Sequence, residues 1–245
     1  MNDQLSLFSR KEMYIMEHTE NGSLQKLKKT PAKQRKKVFY ENMHLIDGMH
    51  FSRKHKFPQM QSYTGTTDFH TVAYSERNKN SGSNQAVHFF LDDYRFANAV
   101  WHRLEKTTFA LRKFDYLFTP DFSMWRNLPT SFYNYENVFR TRFVGAYWQL
   151  CGFNVIPTVS WGDLDSFAYS FEGLPSESVV AVSGMGNRRN YNAFSRWCNG
   201  LRRLEKEKSP IKIIVYGGEV EVSDIHTPLE FIPDYISKHF RDEKK

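Results

Sequence analysis

Tyr116-Leu117-Phe118-Thr119-Pro120-Asp121-Phe122-Ser123 turns from apolar to polar between two neighbouring residues. A short, uninterrupted apolar run reads as a strand buried on both faces, the pattern of parallel sheets covered by helices. A strand that stops in a proline, a carboxylate and a hydroxyl delivers polar groups to one edge of its sheet. The same ending recurs along the chain. Val87-His88-Phe89-Phe90-Leu91 runs into Asp92-Asp93, and Val155-Ile156-Pro157-Thr158-Val159 into Ser160-Trp161-Gly162-Asp163. Ser178-Val179-Val180-Ala181-Val182 ends in Ser183-Gly184-Met185-Gly186, and the strand from Ile211 to Val215 in Tyr216-Gly217-Gly218.

Helical spacing fills the intervals. Phe96, Val100, Trp101 and Leu104 share a face, Val138 to Leu150 runs to a C-cap at Gly152, and a short helix spans about Leu164 to Phe171. From Tyr191 to Lys206 the stripe Phe194, Trp197, Leu201, Leu204 reads as a core-facing side. His70 to Ser75 is a plausible first strand, Arg77 to Asn84 an apolar-free loop able to serve as a lid, and Phe231-Ile232 a last short strand. Strand–helix alternation implies an α/β fold with a parallel sheet. Six or seven strands make either an irregular or incomplete (β/α) barrel or an open doubly wound sheet. Polar residues at nearly every strand end favour the barrel, where all strand ends build the site jointly. Pro157 is awkward in a central strand and predicts a bulge or an edge position.

The 245 residues, 40% apolar and 16% aromatic, are enough for a substantial core. Two cysteines, Cys151 and Cys198, lie far from any CxxC spacing, which argues against a disulfide framework or zinc knuckle and for a reducing compartment. No signal peptide and no window of membrane-spanning length stands out, so the expected location is the cytoplasm, with no membrane partner. A net charge of +7 points to nucleic acid or a phosphorylated ligand as partner, or to a solvated basic surface. Between Lys26 and Lys37 there are seven Lys or Arg and no acid, so residues 1–40 read as a basic arm and residues 41–245 as a single α/β domain. The arm is either an electrostatic handle on nucleic acid or a soluble tail. His44, His50 and His55 do not share a helical face, which favours scattered surface histidines over a metal site.

Four carboxylates stand nearest the strand ends: Asp92, Asp93, Asp121 and Asp163. Converging carboxylates either titrate apart, giving an acid and a base, or take a hard cation such as magnesium. The competing reading is helix capping, by Asp93 ahead of Arg95 and by Asp163 ahead of Leu164. Asp121 is the strongest individual candidate, because Pro129 bars an immediate long helix. Ser183, Gly184, Gly186, Arg188 and Arg189 form a second candidate, a two-glycine loop whose backbone N–H groups could cradle an anion, supported by Tyr216 and Gly217 after the next strand. Arg140 and Arg142 point to different faces of one helix, so one of them can reach the sheet edge. Trp161 beside Ser160 could stack on a base or sugar ring, though a packed tryptophan is the commoner outcome. Ser123 and Ser160 lack a G-x-S-x-G context, which disfavours a serine hydrolase.

In order, Phe89-Phe90-Leu91-Asp92-Asp93-Tyr94-Arg95-Phe96, Thr119-Pro120-Asp121-Phe122-Ser123, Arg140-Thr141-Arg142, Ile156-Pro157-Thr158-Val159-Ser160-Trp161 and Tyr216-Gly217 resemble an uncharacterised family of bacterial, phage and mobile-element proteins, domain of unknown function 4417. The resemblance runs from about Pro58 to Val220. It implies a phage or integrative-element setting, and with it nucleic acid metabolism or host interference. It transfers no catalytic role. Three functions follow from the residues and the setting together: an enzyme acting on a nucleotide or nucleic acid through the strand-end carboxylates, a non-enzymatic nucleic-acid-binding accessory, or a ligand-sequestering or host-interference factor.

Overall fold

Alternation along the strands sets the layers. A computed structural model describes residues 40–187 and 190–234, with the backbone of 16–18 and 24–26. The chain divides into two compact units, residues 1–44 and 45–245. In the first, β1 (Met16–His18) and β2 (Leu24–Lys26) pair antiparallel. The rest of the expected basic arm lies outside the described residues, as do Arg188 and Arg189.

Among the described residues the second unit holds seven strands: β3 (His70–Ala73), β4 (Gln85–His88), β5 (Tyr116–Phe118), β6 (Asn154–Ile156), β7 (Val179–Ser183), β8 (Lys212–Tyr216) and β9 (Leu229–Ile232). Its α-helices are α1 (Ala97–Val100), α2 (Leu104–Leu111), α3 (Phe132–Leu150) and α4 (Tyr191–Lys208). The strands form two sheets in sequence order, β3-β4-β5-β6 and β7-β8-β9, and every pairing is parallel. The register sets Leu117 opposite Val155 and Ala181 opposite Ile214.

Pro157 marks the place where one sheet gives way to the other. Proline has no N–H for a ladder, so β6 stops at Ile156 and the next N–H, that of Thr158, donates to Thr119 Oγ1 at 2.7 Å. Thr158 then makes an isolated parallel bridge with Ala181. Val159 N donates to Ala181 O at 2.9 Å, and Ala181 N to Pro157 O at 2.8 Å. The edge position expected of a strand proline is therefore where Pro157 lies. Among the described residues no ladder joins β9 to β3. The sheets are not closed, and an open arrangement is compatible with them. A 450 Å³ cavity separates the two strands, lined by residues 67–71 and 230–233.

Successive strand residues point to opposite faces. Val87, Phe89, Leu117 and Val155 pack with Val100, Leu104, Leu111 and Trp148 from the first three helices. Val180, Val182, Ile213 and Val215 pack with Trp197, Leu201 and Leu204 from α4. The alternate residues Ala86, Phe90, Phe118, Ile156, Ala181, Ile214, Tyr216 and Ile232 gather into one further cluster drawn from both sheets. Helices thus cover one face of each sheet, and the other two faces meet in a shared core.

Three helix boundaries differ from expectation. The helix through Phe96 and Leu104 is interrupted, and its pieces are α1 and α2. Helix α3 starts at Phe132, well before Val138, because Pro129 precedes its first turn instead of interrupting it. The 164–171 segment holds only a 3-10 turn, Leu164–Ala168. Helix α3 ends as anticipated. Gly152 takes φ +84°, Gly152 N donates to Gln149 O and Phe153 N to Trp148 O, the paired bonds of a Schellman cap. The Arg77–Asn84 loop is tied to the body by Lys113 Nζ, which donates to Arg77 O at 2.6 Å and Asn80 O at 2.8 Å. No described helix is long and apolar enough to cross a membrane.

Candidate functional site

One face of α3 holds the loop that follows β5. Asn134 accepts from Trp125 N and donates to Trp125 O, both at 2.7 Å. Asn137 Nδ2 donates to Ser123 O at 2.8 Å, and Thr141 Oγ1 to Pro120 O at 3.0 Å. These side chains sit three and four residues apart, the spacing of a single helical stripe. Gly145 continues the stripe and brings the helix hard against β5: a Cβ there would lie 2.6 Å from Thr119 Cγ2. The segment from Pro120 to Trp125 is consequently fixed by buried polar groups and not by packing alone.

Two of the four strand-end aspartates clamp the same loop from either side. Ser123 Oγ donates to Asp93 Oδ1 at 2.8 Å, and Ser123 N also donates to that carboxylate. Asn127 N donates to Asp163 Oδ2 at 2.8 Å. Asp93 lies inside the 3-10 turn Asp93–Arg95 and is not its N-cap, and Asp163, the N-cap of the turn Leu164–Ala168, makes no side-chain capping bond. Helix capping does not account for Asp93 or Asp163, because loop N–H groups from another strand end reach them first. Asp92 is exposed and pairs loosely with Arg95 at 3.8 Å.

The clamped loop presents Asp121 to a cavity of about 750 Å³. Residues at or after the C-terminal end of every strand from β3 to β9 contribute to its lining, among them Glu76, Asp92, Ser160, Ser183, Tyr216 and Asp234. The volume falls in the range of small-ligand sites. Asp121 is half-buried as a residue, yet its Oδ1 is sealed from solvent and accepts no hydrogen bond. Burial pushes its carboxyl up to about 7, against the pull of the Ser160 hydroxyl and with a further push from the Asp93 charge. Burial also raises Asp93, opposed by its bonds from Ser123. Two neighbouring carboxyls with unequal hydrogen bonding titrate apart, and the less solvated one is left protonatable near neutral pH.

The glycine loop is placed differently from an anion cradle. Gly184 N donates to Tyr216 O at 2.7 Å and Met185 N to Ser183 Oγ at 3.2 Å, so these two donors are spent inside the fold. Gly186 supplies a left-handed turn at φ +72°. Ser183 and Tyr216 line the cavity, and Tyr216 stacks on Phe90 with ring centroids 4.7 Å apart. Gly217, at φ +117°, takes its N–H to Ile232 O.

The two arginines of α3 are placed differently from each other. Arg142 is buried and donates from Nε, Nη1 and Nη2 to the carbonyls of Glu172, Thr158 and Ser170. Its guanidinium, drawn down to about 10 by burial, is committed to backbone and has no reach to a ligand. Arg140 pairs with Glu136 at 2.7 Å and lies over the Trp101 ring, away from the cavity lining. Trp161 borders the cavity but is 8% exposed, with Phe167 and Phe171 beside it and Gly200 of α4 against its indole. The indole is therefore mostly packed, the commoner outcome for such a tryptophan.

Residues missed in the sequence complete the wall. Arg126, Asn187, Trp197 and Lys79 line the cavity, and Arg126 Nη2 donates to Asn187 Oδ1 at 2.6 Å. Trp197 Nε1 donates to Ser183 O at 2.9 Å. The only local signal for Arg126 is its place three residues past Ser123. Among the described residues no group of three or more His, Cys, Asp or Glu is arranged to hold a metal ion. His55 is bonded to Glu172, whose carboxyl ends up below its usual range because hydrogen bonds from Ser52 and His55 outweigh its burial.

A family described as "Domain of unknown function (DUF4417)" matches residues 49–235. The chain is 40% identical over 150 residues to a protein called Gene 1 protein from Mycobacterium phage L5, covering 61% of this chain and 63% of that one. It is 38% identical over 146 residues to a Gene 1 protein from Mycobacterium phage D29, covering 60% and 53%. The match thus spans under two thirds of either relative's length. No solved structure matches significantly.

Proposed function

The chain belongs to the DUF4417 family, and on that footing we propose that it is a phage-type enzyme whose strand-end cavity exchanges a proton with a nucleotide-sized ligand through Asp121. One observation carries this reading: a carboxyl sealed at the cavity wall, with an unbonded Oδ1 and an affinity for protons near neutrality. An acid–base group works best with its pKa close to the working pH. The carboxyl takes a proton from a ligand O–H or N–H in the cavity, or returns one, while the Ser160 hydroxyl holds it in place. Asp93 has a positioning part: it holds Ser123, and its charge keeps Asp121 from ionising early.

The seven strands are read here as an incomplete (β/α) barrel. Their parallel sequential order, the bridge between the sheets, the shared inner core and the cavity between β3 and β9 all support it. In such a fold the carboxyl ends of the strands jointly form the site. The domain is taken as residues 41–245, preceded by the basic arm, and its setting as the cytoplasm of the host.

A second reading has its own observation. Trp125, Phe132 and Tyr133, in and after the clamped loop, are 54%, 61% and 55% exposed. Exposed rings near a cavity suit stacking on single-stranded nucleic acid, so the ligand on this alternative is a strand and not a free nucleotide. Following the Asp121 carboxyl through a pH titration tests the first reading. Ionisation near pH 7 supports it, and an ordinary carboxylate value overturns it.

A further inference from the structure

We propose that Arg126, Arg196 and Asn187 form an anion subsite of the cavity, which takes the phosphate group of a small phosphorylated ligand. The proposal rests on reading the cavity as a ligand site, and it names the ligand's chemistry. Arg126 and Asn187 both line the cavity and are bonded to each other at 2.6 Å, joining the loop after β5 to the loop after β7. Arg196, from the second turn of α4, lies close enough to Arg126 for the two charges to repel. Asp163 is the carboxylate acting on Arg126, and it also accepts from Asn127 N. One carboxylate thus acts on Arg126 while a second guanidinium stands beside it, which leaves a positive charge in excess around Arg126. The Nε of Arg196 is buried and without a hydrogen-bond partner.

Like charges held together with an unfilled donor are unfavourable unless an anion joins them. A phosphate suits the place better than a carboxylate. It carries up to two charges and several oxygens, enough to accept from two forked guanidinium groups at once. The cavity's carboxylates, Glu76, Asp92, Asp121 and Asp234, come from the ends of β3, β4, β5 and β9, with Lys79 and Arg95 among them, and Asp121 and Arg126 both line the wall from the loop after β5. A ligand with a phosphate at one end and an exchangeable proton at the other spans these two residues.

The test is calorimetric titration of the intact protein with inorganic phosphate, a nucleoside 5′-monophosphate, the parent nucleoside and acetate. Phosphate-bearing probes should bind more tightly than the nucleoside and acetate, and Arg126→Gln or Arg196→Gln should weaken them by about tenfold or more. If Arg126→Gln fails to fold, the Arg196→Gln arm and competition by 1 M chloride decide, roughly in the manner expected when salt screens a charged contact. Phosphate bound no better than acetate, or unchanged by Arg196→Gln, overturns the subsite. A 5′-phosphorylated oligonucleotide bound more tightly than the mononucleotide overturns the small-ligand assignment in favour of a nucleic-acid end. The Asp121 titration on the same samples separates the two readings. Lost phosphate binding with the titration intact refutes the subsite alone, and the reverse pattern refutes the proton-transfer reading alone.

Discussion

Asp121→Asn should make the protein more stable, and only above acidic pH. The carboxyl is raised from 3.8 to about 7 in the folded state, with burial as the leading cause. Between those values the folded chain keeps a proton that the unfolded chain releases. Stability therefore falls as pH rises through that window, and flattens above it. At about 1.36 kcal/mol per pH unit the full interval amounts to about 4 kcal/mol, an upper figure because interior relaxation and water entry reduce such penalties. Asparagine matches the protonated acid in shape and never ionises. Urea unfolding of both proteins at pH 4, 6 and 8 should show near-equality at pH 4 and a gap of about 1–4 kcal/mol in the variant's favour at pH 8. A variant less stable than the wild type at pH 8, or a gap independent of pH, refutes the reasoning. A residue that costs stability where it stands, at a cavity wall, is better explained by use than by folding.

Arg142→Met should destabilise by about 3–5 kcal/mol in urea, since the carbonyls of Thr158, Ser170 and Glu172 lose their donors together; a loss under about 1 kcal/mol would contradict the structural role. Gly200→Ala places a Cβ 2.0 Å from Trp161 Cε2 and must lift α4 from the indole. Overpacking of this kind costs about 1–3 kcal/mol, more than the roughly 1 kcal/mol that alanine gains in a helix, and a raised melting temperature would show the contact to be slack.

The strands were legible because each apolar run ends abruptly in polar residues, and Pro157, by the N–H it lacks, pointed to a bulge or an edge in its strand, though not to a second sheet beyond it. The layering was legible too, since Leu117 and Phe118 fall on opposite faces as period-two alternation requires. Closure was not, because no local pattern reports whether a first and a last strand meet. At the site, Asp121 stood out from its own sequence context. The work of Asp93 and Asp163 did not, because capping is a local event whereas their partners, Ser123 and Asn127, lie 30 and 36 residues away. Arg142 was misread for the same reason: its three carbonyl acceptors come from segments 16 to 30 residues distant. Arg126 and Arg196 meet only through tertiary packing, so neither had a motif to mark it.

The most direct test of an acid–base role is the ionisation of the Asp121 side chain itself, followed by carboxyl-carbon NMR in the folded protein. The account predicts a midpoint near 7 for Asp121. A midpoint near 4, the range of an unburied carboxylate, would contradict it.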